Sequence, residues 1–267
     1  MAEWIHRYAR INGIRVHYVE QGAGVPVILC HGFPHVWFQR IAGPRNALRG
    51  VTIPYAIDNV RVEQVEEDPG VPVGAWRSVG ASQNGFTVEC FIDELAHELK
   101  RDPLELRRSL MDKHPKHRAV LDAAAAKAGW GKPAPDVKGQ KVFRGLAQTH
   151  GFGSYVAACA EVSVSAEGEL TVHRIVAATD CGYAVNPQQI EAQVEGSFVY
   201  GLSAALYGEC TVKDGRIAQS NFNDYPVLKL AQMPKVETIV MGSGGFWGGV
   251  GEPTIAVAAL AVLNAIF

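Results

Sequence analysis

One carboxylate stands alone near the C-terminus. Residues Gly242 to Pro253 read G-S-G-G-F-W-G-G-V-G-E-P, and Glu252 is the only ionisable side chain between Glu237 and the end of the chain. Glycines carry no Cβ, so such a loop lets backbone lie close against a bulky group. A carboxylate at its end suits general-base chemistry. The same residue stands where the loop passes into the apolar run Thr254 to Phe267, with Pro253 expected at the first helical position. It would serve equally well there as a solvent-facing helix cap. The local sequence leaves both readings open.

Two more polar residues sit in unusual surroundings. Arg77 lies in the small-residue stretch Pro72 to Gly85, PVGAWRSVGASQNG. Its permanently charged guanidinium suits contact with an anion or oxo ligand, although a loop arginine in water looks the same in sequence. Gln193 belongs to Q-V-E-G inside an expected helix that is apolar on most sides. A buried amide there needs a partner, either a polar heterocycle or a neighbouring loop. His31 and His35 are four apart, but Gly32 and Pro34 exclude the helix that would aim both at one metal. The five cysteines, Cys30, Cys90, Cys159, Cys181 and Cys210, are isolated. They read as free thiols rather than a disulfide framework, a zinc ribbon or an iron–sulfur cluster.

The elements that must position these residues follow from pattern and punctuation. Tyr8 to Glu20 alternates around Asn12-Gly13, a type I′ hairpin signal, and Val25 to Cys30 predicts a short buried strand. Asn59 to Glu67 predicts an exposed strand, and Phe86 to Leu99 an amphipathic helix whose acids Asp93, Glu94 and Glu98 form a solvated face. Asp102-Pro103 and Pro115 open two scaffold helices, and Gly131 to Gln140 reads as a linker or long surface loop. Tyr155 to Ser165 and Glu169 to Thr179 predict an antiparallel hairpin. Asn186 then caps a helix running to about Tyr207, a hairpin turns at Lys213-Asp214-Gly215, and Lys235 to Met241 predicts one more strand. The expected class is α+β, with mixed sheets, packed helices and an N-terminal β-hairpin and strand.

With 267 residues, 48% of them hydrophobic, the chain can bury a full core as one large domain or two smaller ones. A net charge of −2 gives no global pull toward nucleic acid or membranes, which leaves small molecules and proteins as partners. Met1 to Arg10 has no signal-peptide core and no stretch reaches the length of a membrane span, so a soluble, cytoplasmic chain is the expectation.

Three motifs in order, WRSVGASQNGFTVECFIDELA, DCGYAVNPQQIEAQVEGSFVYGLSAALYGE and GGVGEP, resemble the molybdenum-binding subunit of the xanthine oxidase and aldehyde oxidase family, most of all the beta subunit of isoquinoline 1-oxidoreductases. The likeness covers residues 37–267, with two lobes expected to divide near 131–140. It implies hydroxylation of an aldehyde or N-heteroaromatic C–H with water as the oxygen source. The cofactor implied is molybdopterin cytosine dinucleotide, its molybdenum held by the pterin with no protein ligand. A [2Fe-2S] small subunit on a separate polypeptide is the implied electron acceptor. Residue by residue, Glu252 matches the family's general base. Arg77 matches the arginine of F-R-G-x-G, here W-R-S-V-G, with Val79, Gly80 and Ala81 beside the molybdenum ligands. Gln193 matches the glutamine that hydrogen-bonds the pterin, and Gly249, Val250 and Gly251 shape the approach to the metal.

There are departures. Further pterin motifs of the family are absent, and Phe246-Trp247 replaces a more polar pair. Residues 1–36, including INGIRVHYVEQGAGVPVILCHGFP, resemble instead the opening of an epoxide-hydrolase-type α/β-hydrolase. No credible nucleophile elbow follows: Gly80-Ala81-Ser82-Gln83-Asn84 lacks its closing glycine, and Ser203 lies in a helical pattern. Two alternatives therefore accompany the molybdenum hydroxylase. One is a truncated or fused non-catalytic remnant that binds a partner subunit, and the other is epoxide hydrolysis.

Overall fold

The computed structural model describes residues 5–11, 14–20, 28–32, 36–43, 48–68, 70 and 73–267. The chain forms two compact units: residues 1–49 with 55–74, and residues 50–54 with 75–267. In the first unit, β1 (Ile5–Ile11) and β2 (Ile14–Glu20) pair antiparallel with Ile11 opposite Ile14. The expected Asn12-Gly13 turn between them lies outside the described residues, as do Phe33, Pro34 and His35. A second sheet has the order β3 (Ile28–Gly32), β4 (Val36–Gly43), β5 (Asn59–Glu66), with β3 and β4 antiparallel and β4 and β5 parallel.

The second unit is built on a four-stranded sheet. Its helices are α1 (Gly80–Glu98), α2 (Pro103–Leu110), α3 (Pro115–Ala128), α4 (Pro187–Tyr207) and α5 (Ile255–Ile266). Its strands are β6 (Phe143–Gly151), β7 (Ser154–Val164), β8 (Leu170–Asp180), the two-residue pair β9 (Val212–Lys213) and β10 (Arg216–Ile217), and β11 (Lys235–Met241). The main sheet runs β11-β8-β7-β6, parallel between β11 and β8 and antiparallel elsewhere. Both α3 and α5 pack on β7, which is buried almost end to end, so both faces of the sheet are covered. Small residues make this packing close: Ala157, Ala158, Cys159 and Ala160 on β7, Ala177 and Ala178 on β8, and Ala258 and Ala261 on α5 are all buried.

Local signals place several elements as expected. Asp102 accepts from the amides of Leu104 and Glu105 to cap α2, Asn186 Oδ1 accepts from Gln189 N–H to cap α4, and Gly129 ends α3 at φ 72°. The acidic face of α1 is a correction. Asp93 is buried rather than solvated, bonded to Arg107 Nη1 at 2.7 Å, while Glu94 and Glu98 are exposed. Arg107, fully buried, also binds Glu89 at 3.1 Å, and Glu89 receives both the main-chain and side-chain N–H of Gln148. Helix α1 also starts at Gly80 rather than Phe86, because its first turns are buried against neighbouring elements. Strand β6 has no counterpart in the sequence reading. Buried from Leu146 through Thr149, it lacks the polar–apolar alternation that marks a strand.

A candidate active site between two loops and a helix

The turn before α1, the middle of α4 and the loop before α5 meet at one place. Arg77 Nε donates to the carbonyl of Gly251 at 2.7 Å, and its Nη2 donates to Gln193 Oε1 at 2.9 Å. Ser78 N–H donates to Glu252 Oε1 at 3.0 Å. These residues stand 174 and 116 apart in sequence, and their convergence decides against a solvent-facing helix cap for Glu252. Helix α5 begins at Ile255, after a tight turn in which Ile255 N–H reaches the carbonyl of Glu252 and Ala256 N–H that of Pro253. The carboxylate is thereby free to face the α1 turn.

Each contributing stretch is held from behind. Trp76 stacks on Tyr200 of α4 with ring centroids 4.9 Å apart, and the Arg77 guanidinium lies 5.7 Å from the same ring. Gln193 and Tyr200 are two helical turns apart, so one face of α4 receives both residues of the turn. The glycine loop is fastened to the β6–β7 turn: Gly249 N–H donates to Phe152 O at 2.8 Å, and Ser154 Oγ donates to Gly249 O at 2.6 Å. A Cβ on Gly248 would collide with Ser154 Oγ at 2.2 Å, and one on Gly182 with Phe246 O at 2.0 Å. Backbone approaches this close are what the glycine-rich sequence permits. Lys116, over the Phe246 ring at 4.3 Å and bonded to Ser243 Oγ at 3.2 Å, ties α3 to the loop.

The remaining sequence-derived candidates are placed as follows. Val79 is the residue before α1 at φ 48°, and Gly80 and Ala81 are its buried first residues. Ala81 turns inward, 3.5 Å from where a Gly50 Cβ would stand and 3.8 Å from that of Gly151, so only its backbone is available to a ligand. Val250 packs against the core, Gly249 is exposed, and a Cβ on Gly251 would meet only Gln193 Oε1, at 3.8 Å. Sequence reasoning missed Ser78, Phe152, Ser154 and Tyr200. The first three act through backbone or as buttresses and leave no compositional mark.

A second cluster lies behind the loop. His117 Nδ1 meets Gln148 Oε1 at 2.6 Å, and its ring packs against His114, His150 and Tyr155. Burial, with the nearby histidines, lowers the His117 pKa to about 4, and burial also lowers that of His150. Burial pushes the thiols of Cys90 and Cys159 up to about 12, which suits inert thiols.

The site has features of a ligand cradle. Gln193 is exposed on the outer face of α4 rather than buried as its apolar helix suggested, and because Arg77 uses its Oε1, its side-chain N–H₂ remains a donor. Gly251 has an open side beside it, and the hydroxyls of Ser78 and Ser82 are buried without a partner. Donors next to a guanidinium and a helix N-terminus fit a polar, anionic group.

The profile of the molybdopterin cofactor-binding domain matches residues 58–234, which contain Arg77 and Gln193; Glu252 lies beyond the match. The beta subunit of isoquinoline 1-oxidoreductase from Brevundimonas diminuta is 30% identical over 223 residues, 83% of this chain and 28% of that protein. Quinoline 2-oxidoreductase from Pseudomonas putida 86 superposes with a TM-score of 0.73 at 12% identity, over 95% of this chain and 61% of that one, and this speaks for the fold. A short stretch of 37 residues, 14% of the chain, is 49% identical to soluble epoxide hydrolase from Corynebacterium sp. strain C12, of which it covers 13%. The chain thus spans about 28% of the length of the oxidoreductase subunit it matches.

Proposed function

Since this chain belongs to the molybdopterin cofactor-binding domain family, we propose that it is the part of a molybdenum hydroxylase that carries the proton acceptor, and that Glu252 is that acceptor. The observation behind the reading is the junction of Arg77, Ser78, Gln193, Gly251 and Glu252. The cofactor proposed is molybdopterin cytosine dinucleotide. When bound, it supplies the redox chemistry that replaces a C–H hydrogen by water-derived oxygen. Gln193 would donate to the pterin through its side-chain N–H₂, and the Arg77 guanidinium would hold that amide and the Gly251 peptide in place. The backbone of Val79, Gly80 and Ala81 would face the metal's ligands, and Gly249, Val250 and Gly251 would leave room for the substrate, an aldehyde or an N-heteroaromatic. Glu252 would accept the proton released in that chemistry, and a [2Fe-2S] subunit would be the partner that accepts the electrons.

In an assembly with the remaining molybdenum-subunit segments and an iron–sulfur subunit, Glu252→Gln should cut dye-coupled oxidation of an aromatic aldehyde or quinoline. The expected loss is about 10²- to 10⁴-fold, with molybdenum content unchanged. Unchanged turnover would refute the assignment. The alternative reading is a non-catalytic chain that binds a partner subunit. Under that reading the assembly forms but neither protein turns over.

A further inference from the structure

Consecutive residues hold the candidate acceptor at two points. Arg77 Nε fixes the Gly251 peptide that leads into Glu252, and Ser78 N–H fixes the carboxylate through Oε1. Among the described residues, Oε2 takes part in no hydrogen bond or ion pair. The turn that presents this amide places Ser78 at φ 79° and Val79 at φ 48°, two successive non-glycine residues in the left-handed region, one of them β-branched. The serine side chain gains nothing from that conformation, for its hydroxyl is fully buried and unpartnered. The amide is what the turn delivers.

We propose that the main-chain N–H of Ser78 is a positioning group for the reaction: it anchors Oε1 of Glu252 and leaves Oε2 as the oxygen that receives the proton. The inference rests on the reading of Glu252 as the acceptor and adds which oxygen acts and what orients it. It also explains why a serine is tolerated at this place in W-R-S-V-G, since any residue that reaches the same φ supplies the same donor.

The full chain labelled with ¹⁵N-serine tests it. The Ser78 amide proton should shift with pH along a single carboxylate titration in the wild type, and that shift should vanish in Glu252→Gln, which keeps an oxygen acceptor at equal reach. In Glu252→Ala, Ser78 amide exchange should speed up roughly tenfold, the factor expected for one lost hydrogen bond of ordinary strength. Ser78→Gly keeps the N–H while removing the hydroxyl and the strain, and should retain the titration. A Ser78 amide that does not move with pH, or moves equally in Glu252→Gln, overturns the proposal. So does loss of the titration in Ser78→Gly, which would put the effect in the side chain. These outcomes leave Glu252 as acceptor untouched, because that assignment falls only on unchanged turnover of Glu252→Gln in the assembled enzyme.

Discussion

Gln148 Nε2 donates to Glu89 Oε1, which makes Gln148 Oε1 an acceptor and His117 Nδ1 the N–H that donates to it. The hydrogen bond places a proton on Nδ1 of His117, and a second proton, on Nε2, would enter buried space beside two further histidines. Its folded pKa of about 4 lies below the ordinary 6.5. The unfolded chain takes up the proton first as pH falls. The stability His117 contributes is thus present above pH 6.5 and lost as pH falls toward about 4. Urea denaturation should show a decline of about 2–3 kcal/mol between pH 7 and 4.5, from the size of that shift. His117→Asn keeps a donor toward Gln148 without titrating and should remove most of the decline; an equal decline in the variant would refute the account. At this scale the sequence was partly legible. Glu252, Arg77 and Gln193 stand out by type and surroundings, whereas Ser78 acts through a backbone amide, which every non-proline residue has. Asp93 looked solvated because its partner Arg107 is 14 residues away and only tertiary packing brings the two together.

Helices α2, α3 and α4 could be read because their starts are marked in sequence: Asp102 before Pro103, Pro115, and Asn186 before Pro187. Strand β6 could not, because it lies between covering layers and has no solvent face to set a period. Its Gly145 shows what holds it there. A Cβ at that position would stand 2.2 Å from Ala265 N and 2.3 Å from Ala261 O, so the α5 backbone rests directly on the strand. Gly145→Ala must push α5 away from β6, and no rotamer change relieves contact with main-chain atoms. The expected cost is about 3 kcal/mol or more, at the upper end of overpacking effects. Because α5 follows directly on the turn that holds Glu252, the displacement should also loosen the bond to Ser78. A thermal midpoint within 1–2 °C of the wild type, roughly the shift of a negligible stability change, would show that β6 and α5 are not in such contact.

Across the whole chain, the family profile ends at residue 234 while the carboxylate proposed to do the chemistry lies at 252, and the match covers only 28% of the isoquinoline oxidoreductase subunit. Under the proposal, the described residues would supply one wall of a cradle: an arginine, a glutamine with a spare donor, an uncapped helix start and a glycine loop. Under the proposed reading, molybdenum would be retained through contacts to the pterin. Several large apolar side chains also face outward, among them Trp247 and Leu230, at 73% and 93% exposure. A single wall offers few hydrogen bonds to a cofactor of this size, and each contributes only about 0.5–1.5 kcal/mol net. Molybdenum should therefore be well below one per chain when the protein is purified alone from a host that makes the cofactor. It should approach one when the segments of the isoquinoline oxidoreductase subunit that have no counterpart here are co-produced, and Gln193→Ala should lower that recovered content several-fold. Stoichiometric molybdenum in the chain alone would show that this wall suffices. None in either preparation would leave a fold that carries the family's outline without its cofactor.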